Sequence, residues 1–262
     1  MPASLEEPAP PAVRYQGGMA PEETSASGGL VVRRASDRFL TEGQGRVTRH
    51  SFSFDRHYDP TNVGFGFLLC HNDDRLEPGH GYPPHPHRDV EILTWVVHGV
   101  LRHEDSLGHG GLVAPGRLQH TSAGRGIVHS EMNDTPRQPL RFVQTWLRPD
   151  EPGGTPSYSQ AEAVPGHGWV TLASGLRRYA ESAATSLRNR HSALHVARLD
   201  DGSVCLPDAA WLHLFVVVGE VDLEGAGRLE AGDAVRLAGS GGQRLTGRGS
   251  AEVLVWEMHA AG

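Results

Sequence analysis

Cysteine is scarce in this sequence, and long apolar runs are absent. The only two cysteines, Cys70 and Cys205, lie far apart and form no CxxC motif. The sequence therefore does not support a disulfide framework and favours a reducing cytoplasm. No apolar run approaches the ~18 residues of a membrane-spanning helix, and the first residues lack the basic and apolar regions of a signal peptide. We predict a cytoplasmic protein with no membrane partner.

Positive charge is also in short supply. Lys and Arg number 24 against 31 Asp and Glu, which gives a formal net charge of −7. The densest arginines, between residues 177 and 190, are interrupted by acidic and apolar residues and form no basic stripe. Direct nucleic-acid binding needs a basic face. The composition therefore argues against a nucleic-acid partner.

Glycine and proline are abundant, at 33 and 18 residues, and they divide the chain into short segments. Apolar and β-branched runs recur between turn signals, as in 47–54, 65–70, 92–97 and 140–147. This spacing is typical of an all-β sandwich or barrel. We predict an all-β fold, with one short helix near 182–190.

Composition divides the chain into four parts. Residues 1–28 are rich in Pro, Ala, Glu, Ser and Gly and are predicted to be a disordered tail. Residues 29–150 and 167–262 carry the β-like runs and are predicted to form two domains. The Pro/Gly-rich segment that begins the interval between them predicts a linker over 151–166.

The two β-rich blocks share a weak internal repeat. In each, an apolar strand leads through a glycine, Gly99 or Gly219, into a second strand. A second glycine turn follows, at Gly116 or Gly232. Tandem copies of one β-barrel would leave this pattern. The second block has no HxH or HxE motif, so only the first is expected to hold a metal.

Two short clusters of histidine and glutamate are the most informative motifs. The first is His85-Pro86-His87, and the second is His129-Ser130-Glu131. Side chains two apart on a strand point to one face, so two neighbouring strands would aim four donors at one point. Imidazole and carboxylate donors bind divalent transition metals. Glu91 has the parity of the first histidine pair and is a further candidate for the same cavity.

The order of these motifs resembles known families. The pattern G-x5-HxH-x3-E, from Gly79 to Glu91, resembles the first motif of the cupins. The segments Pro-His-Pro-His-Arg, Glu-Asp-Ser-Leu-Gly, Ala-Gly-Arg-Gly-Ile-Val-His-Ser-Glu and Gln-Thr-Trp-Leu are similar to the pirin family within them. The resemblance implies a bicupin of two face-to-face antiparallel β-barrels with the jelly-roll (cupin) fold. It also implies one metal in the N-terminal barrel.

The resemblance implies the ligand set His85, His87, His129 and Glu131. In most cupins the glutamate equivalent to Glu91 is a ligand, whereas pirin-like proteins use the glutamate of the second cluster. We therefore favour Glu131 as the ligand and place Glu91 beside the site. The set contains no thiolate, which argues against a structural zinc. Fe(II) is the first expectation for the single divalent metal, with Mn, Ni, Co, Cu or Zn as alternatives.

The resemblance also points to quercetinase activity, in which dioxygen cleaves a flavonol. The implied partners are a small-molecule substrate and dioxygen. Glu131 is the expected base for the substrate hydroxyl proton, with Glu91 as the alternative. A non-catalytic metal-binding regulator that acts through a protein partner is the competing class. A third is a metal-dependent isomerase or cyclase acting on another enolisable molecule.

Other side chains of the first block carry weaker expectations. His80 and His120 are candidates for the mouth of the pocket, whereas His103 and His109 lie near turns and are expected in solvent. Gln144 and Trp146 share a strand face, from which the glutamine could reach the cavity while the tryptophan packs in the core.

Overall fold

The computed structural model describes residues 29–163 and 168–260. Within these ranges the chain forms 22 β-strands, and its helical turns are two short 3-10 segments, Ala35–Asp37 and Arg177–Tyr179. The predicted all-β class is confirmed. The tail predicted for residues 1–28 lies outside the described residues.

The first half of the chain contributes twelve strands. Their bounds are β1 Leu30–Arg33, β2 Phe39–Gly43, β3 Arg46–His50, β4 Leu68–Leu76, β5 Gly81–His87, β6 Glu91–His98, β7 Leu101–Asp105, β8 Gly110–Val113, β9 Arg117–Ser122, β10 Ile127–Asn133, β11 Leu140–Leu147 and β12 Ser157–Glu162. Eleven of them form two sheets, with the orders β12-β9-β6-β11-β4-β3-β2 and β5-β10-β7-β8.

The second half repeats this arrangement. Its strands are β13 Val170–Ser174, β14 Thr185–Ser186, β15 Ser192–Leu199, β16 Ser203–Cys205, β17 Trp211–Val218, β18 Glu220–Leu223, β19 Gly227–Glu230, β20 Ala234–Ala238, β21 Arg244–Gly247 and β22 Ala251–Met258. With β1 they form sheets of order β1-β20-β17-β22-β15-β13-β14 and β16-β21-β18-β19. Because the central strands β6, β11 and β4 are matched in order by β17, β22 and β15, the internal repeat inferred from sequence is confirmed.

Apolar packing arranges the four sheets in layers. The two seven-stranded sheets face each other across a shared core that includes Trp95, Val143, Phe215 and Trp256. Smaller cores join each of these sheets to its four-stranded partner. The central strands β6 and β17 are buried on both faces, which explains why they read as nearly continuous apolar runs rather than alternating ones.

The structure differs from the sequence predictions at two domain boundaries and at one predicted helix. Strand β1, at the start of the predicted first domain, pairs with β20 of the second half. Strand β12 lies inside the predicted linker 151–166 but pairs with β9. The helix expected near 182–190 is wrong, because that segment contains β14, which pairs with β13. In each case pairing with a distant strand outweighs the local propensity.

Two equivalent glycines make the turns that follow the central strands. Gly99 and Gly219 have positive φ angles of 82° and 75°. A Cβ at Gly99 would lie 2.9 Å from Leu140 Cα, and one at Gly219 would overlap Ser250 and Ala251. In both halves the turn is therefore pressed against the chain that enters the next central strand. This close approach and the left-handed backbone both require glycine.

We predict that Gly99→Ala destabilises the protein more than Gly249→Ala does. Both positions have a positive φ angle, so both changes incur the left-handed strain of about 1–2 kcal/mol. Only Gly99 has atoms that a new Cβ would strike, since nothing lies within 4 Å of a Cβ at Gly249. Overpacking should add about 1–3 kcal/mol to the loss at Gly99. Urea unfolding measures both free energies, and equal losses would contradict the packing argument.

Candidate metal centre

The first histidine cluster lies on the edge strand β5. Pro84 and Pro86 point outward and are exposed, and an edge strand tolerates proline because it loses no ladder hydrogen bond on its free side. The alternation turns His85 and His87 inward. Strand β10 pairs antiparallel with β5 and places His129 directly opposite His85. The local sequence and the register together bring three imidazoles to one face.

The three rings form a compact triangle. Ring centroids lie 4.8 Å apart for His85 and His87, 4.6 Å for His85 and His129, and 4.8 Å for His87 and His129. A nitrogen from each ring lies within 4.8 Å of the others. Imidazole nitrogens that converge in this way fit a divalent transition metal.

Hydrogen bonding leaves ring nitrogens free for such an ion. The Nδ1–H of His85 donates to the carbonyl of Pro83 at 2.8 Å, which leaves its Nε2 as the available donor. Nε2 of His87 and both ring nitrogens of His129 are buried and have no partner among the described residues. Buried polar atoms are rarely left unpaired. A metal ion would satisfy one nitrogen of each ring.

Electrostatics keep two of these rings neutral. Burial, together with the neighbouring histidines, lowers the pKa of His87 to about 3 and that of His129 to about 2. A neutral imidazole is the form that binds a metal. These two rings can therefore bind a cation without first losing protons near neutral pH.

Glu131 follows His129 by two residues on β10 and is buried inside the first half of the chain. A β-bulge separates it from His129 on β10, and its side chain is 1% exposed. Its carboxylate groups with His129 and His103, all with donor atoms within 4.8 Å, rather than with the full triangle. Of the four predicted ligands, the structure thus brings three together and places the fourth in an overlapping group that shares His129.

Two glutamines orient the Glu131 carboxylate. Gln119 Nε2 on β9 donates to Oε1 at 2.8 Å, and Gln144 Nε2 on β11 donates to Oε2 at 2.7 Å. Gln144 Oε1 accepts from the Trp146 indole at 3.0 Å. Gln144 does reach the site, as its strand face suggested. Trp146 packs in the core as expected. Its ring is also nearly perpendicular to the His87 ring, with the two ring centroids 4.9 Å apart.

The expectation that His103 is solvated is wrong. Its side chain is fully buried on β7, opposite Glu131. Its Nε2 bonds Asp105 at 3.3 Å, and its Nδ1 has no partner among the described residues. The nearby Gly108 turn suggested a loop, but alternation from Leu101 would have placed His103 on the inner face. His109, by contrast, is exposed as predicted.

Strand β12, from within the predicted linker, adds another side chain to this site. The Tyr158 ring stacks on His103 with centroids 4.3 Å apart. Its hydroxyl donates to Gln119 Oε1 at 3.3 Å. Tyr158 therefore fixes the amide orientation that lets Gln119 donate to Glu131. Sequence spacing gave no signal for this contact, because it depends on the pairing of β12 with β9.

Glu91 does not share the cavity of the histidines. Asp89, with a positive φ angle of 54°, ends the run of β5, and Glu91 begins a strand of the other sheet. The parity argument was therefore wrong, since parity does not persist through a turn. The Glu91 carboxylate accepts hydrogen bonds from Ser122 Oγ at 2.5 Å and from the backbone N–H of Arg188 at 3.1 Å.

The two histidines proposed for the pocket mouth also lie elsewhere. His120 Nε2 bonds Glu91 at 3.0 Å. Although burial opposes it, hydrogen bonding and charge from His120 and a hydrogen bond from Ser122 lower the net pKa of Glu91. His80 is exposed and bonds the carbonyl of Pro78. Neither belongs to a group of metal-type donors among the described residues.

The fold and the histidine triangle define an all-β protein of two like halves, one of which carries the donors of a divalent-metal site. Comparison with known proteins agrees with this class. The sequence model of the Pirin family matches residues 32–147. A Mycobacterium tuberculosis protein named "Putative quercetin 2,3-dioxygenase Rv0181c" is 51% identical over 235 residues, covering 88% of this chain and 96% of that protein.

The chain belongs to the pirin family. An Escherichia coli protein named "Quercetin 2,3-dioxygenase" is 42% identical over 131 residues, covering 50% of this chain and 57% of that protein. The crystal structure of the bacterial pirin YhhW from Escherichia coli in complex with nickel(II) has a TM-score of 0.79 and 30% identity. It covers 87% of this chain and 98% of that one. Among residues 29–163 and 168–260, no helix is long and apolar enough to cross a membrane.

The overlap of the two donor groups makes a sharp prediction. If the metal is held by the histidine triangle, His87→Ala should weaken nickel binding by more than the 10–100-fold typical of losing an outer hydrogen-bond partner. His103→Ala should still bind one ion per chain. Calorimetric titration of the metal-free proteins measures both, with circular dichroism as the folding control. Stronger loss in His103→Ala than in His87→Ala would assign the ion to the other group.

Proposed function

We propose that this pirin is a metal-dependent dioxygenase that acts on flavonol-type, quercetin-like or other enolisable aromatic substrates. The single observation that carries the proposal is the convergence of imidazole nitrogens from His85, His87 and His129. Those of His87 and His129 are buried without a partner among the described residues. With Glu131 the three histidines supply three nitrogens and one oxygen. A divalent metal held by these four protein donors would leave room for further oxygen ligands, which would suit chemistry between a substrate oxygen and dioxygen.

The proposed cofactor is one divalent transition metal, with Fe(II) first. The donor set lacks sulfur and combines imidazole with carboxylate, which fits iron, manganese, nickel, cobalt and copper. The nickel(II) in the complex of the related bacterial pirin YhhW supports a divalent ion as the cofactor. A bound metal would act as a Lewis acid and a template for the two reactants. Metal analysis of the purified protein identifies the ion independently of any activity assay.

Glu131 is the proposed base for the substrate hydroxyl proton. A carboxylate oxygen has two acceptor sites, and Gln119 and Gln144 each occupy one oxygen of Glu131 from the protein side. Thr94 Oγ1 also donates to Oε1 at 3.4 Å, so Oε2 is the oxygen that keeps acceptor capacity. The glutamines hold the carboxylate in one orientation, which is the geometric requirement for proton transfer within hydrogen-bond reach.

Glu91 is not the base in this proposal. Both of its oxygens are engaged, by Ser122 on one side and by His120 and the Arg188 backbone on the other. It lies on the face of β6 that also carries Leu93 and Trp95, which pack toward the second half. These contacts support a role in joining the two halves rather than in chemistry.

The surroundings of His87 suit an aromatic substrate. Trp146 meets the His87 ring edge-on, and Phe54 packs against Trp146 with centroids 5.3 Å apart. His85 and His87 are half-buried because β5 is an edge strand. An aromatic enol could approach from this edge, with apolar rings beside it and donors beneath it.

A metal-binding regulator is the second candidate. Two clefts on the described surface are lined by residues of the second half and by Leu30, and neither contains a residue of the histidine triangle. A regulator needs no wide pocket above its metal, because a change of metal charge can act through packing. Its partner would be a protein rather than a flavonol.

The dioxygenase proposal predicts coupled loss of quercetin and oxygen. Metal-loaded protein should consume both in equal amounts and release carbon monoxide, measured by absorbance, an oxygen electrode and headspace analysis. His87→Ala should lose the reaction together with its metal, whereas the exposed His98→Ala should keep both. Full metal occupancy with no oxygen uptake on any flavonol would contradict the proposal. Stoichiometric capture of a protein by that inactive form would favour the regulator.

The base assignment predicts different effects at the two glutamates. Glu131→Gln should lower the turnover number by about 10²–10⁴-fold, the usual contribution of a positioned base. Glu91→Gln should stay within a few-fold of the parent, because its carboxylate faces away from the triangle. Rates are compared per bound metal ion, which separates proton transfer from loss of the ion. A larger loss in Glu91→Gln would reverse the assignment.

A further inference from the structure

Four basic side chains lie in the interface between the two seven-stranded sheets. This interdomain basic cluster consists of Arg38, His71, His213 and Arg236, with exposures of 8%, 1%, 0% and 8%. The rings of His71 and His213 are 4.6 Å apart and come from opposite halves of the chain. His213 and Arg236 are paired across β17 and β20. Such a set of buried basic side chains is unusual inside an otherwise apolar interface.

Aromatic rings form the walls of the cluster. The guanidinium of Arg38 lies 5.0 Å from the centre of the Phe215 ring, and that of Arg236 lies 4.4 Å from the centre of Phe52. His71 packs against Phe215 with ring centroids 4.7 Å apart. Cation–π contacts offset part of the cost of burying these charges, but they do not satisfy N–H donors.

Several donors of the cluster have no partner among the described residues. Arg38 donates through its Nη atoms to two backbone carbonyls, and Arg236 Nη2 donates to the carbonyl of Ser51 at 2.9 Å. The Nε atoms of both arginines and both ring nitrogens of His213 are buried without a partner. At least one of those ring nitrogens carries a hydrogen. At least three buried N–H groups therefore lack an acceptor.

Carboxylates that could balance the two arginines are also scarce in this interface. Within the described residues no carboxylate forms an ion pair with Arg236, and the nearest one to Arg38 is Asp73 at 3.9 Å. Asp73 is already held by Arg141 through two bonds of 2.9 and 3.0 Å, and Asp74 acts on Arg38 only at longer range. Burial lowers the pKa of Arg38 to about 10 and that of Arg236 to about 9. Both arginines still carry their charge at neutral pH.

We propose that the interdomain basic cluster binds one small monovalent anion, of the halide class, between Arg236, His213 and Arg38. An anion there would accept from the unpartnered N–H groups and neutralise charge that the protein leaves unpaired. A monovalent halide is cheaper to dehydrate than a divalent oxyanion, so it suits the aromatic walls. Because its donors come from both halves, the anion strengthens the contact between the two large sheets. This site is separate from the histidine triangle and independent of the proposed activity.

The first test is thermal unfolding of the full-length protein in chloride or gluconate at constant ionic strength. Bound chloride stabilises the native state by mass action, so the melting temperature should rise with chloride and become linear in the logarithm of its concentration above the dissociation constant. Arg236→Met should abolish this dependence or weaken the apparent affinity at least 10-fold. Arg228→Met is the matched control, because Arg228 is exposed and its ion pairs within the described part of the chain are with the surface carboxylates of Glu220 and Glu230. Unchanged melting of the parent protein in chloride and gluconate would overturn the proposal.

The second test needs no variant, so it holds even if Arg236→Met fails to fold. Crystals of the parent protein soaked in bromide should show an anomalous peak within hydrogen-bond distance of Arg236 Nε and a ring nitrogen of His213. Water at that position with no bromide peak would overturn the proposal. A bromide peak without the chloride-dependent rise in melting temperature would mean binding at crystal concentration only, and would also overturn the proposal.

Discussion

The antiparallel register of β5 and β10 is the constraint on which the metal centre depends. A slip of one residue would turn every side chain of a strand to the opposite face, so His85, His87 and His129 meet only in the pairing that the structure has. The outward prolines of β5 keep that strand at the edge of its sheet. Because β5 is an edge strand, His85 and His87 are only half-buried, which leaves the triangle reachable from outside.

The two halves share a sheet order but not a site. Strands β16 and β21 occupy the positions of β5 and β10 in the second half, and their paired residues include no histidine. Both groups of metal-type donors found in the described residues lie in the first half. Because the second sandwich is filled by an apolar core, the duplicated architecture does not require an ion. In the proposed function the first half carries the chemistry. The second half covers the seven-stranded sheet of the first half.

The features that the sequence could predict are those set by residues close together along the chain. The two-residue period of a strand identified the inward histidines, and paired glycine turns identified the repeat, because both are local signals. Glu91 was misplaced because a turn at Asp89 intervenes, and His103 because a nearby glycine suggested a loop. The contacts of Gln119, Gln144 and Tyr158 depend on the order of strands in the sheet. No spacing along one sequence contains that order, so the roles of Gln119 and Tyr158 emerged only from the folded arrangement, whereas the strand face of Gln144 already suggested that it could reach the cavity.

X-ray absorption at the edge of the bound metal, combined with anomalous diffraction from the same metal-loaded protein, tests the central claim most directly. We expect one ion per chain, bound by the ring nitrogens of His85, His87 and His129, with an oxygen of Glu131 completing the protein donors. An ion held by His103 in place of His85 and His87, or no ion in the first half of the chain, would contradict this claim.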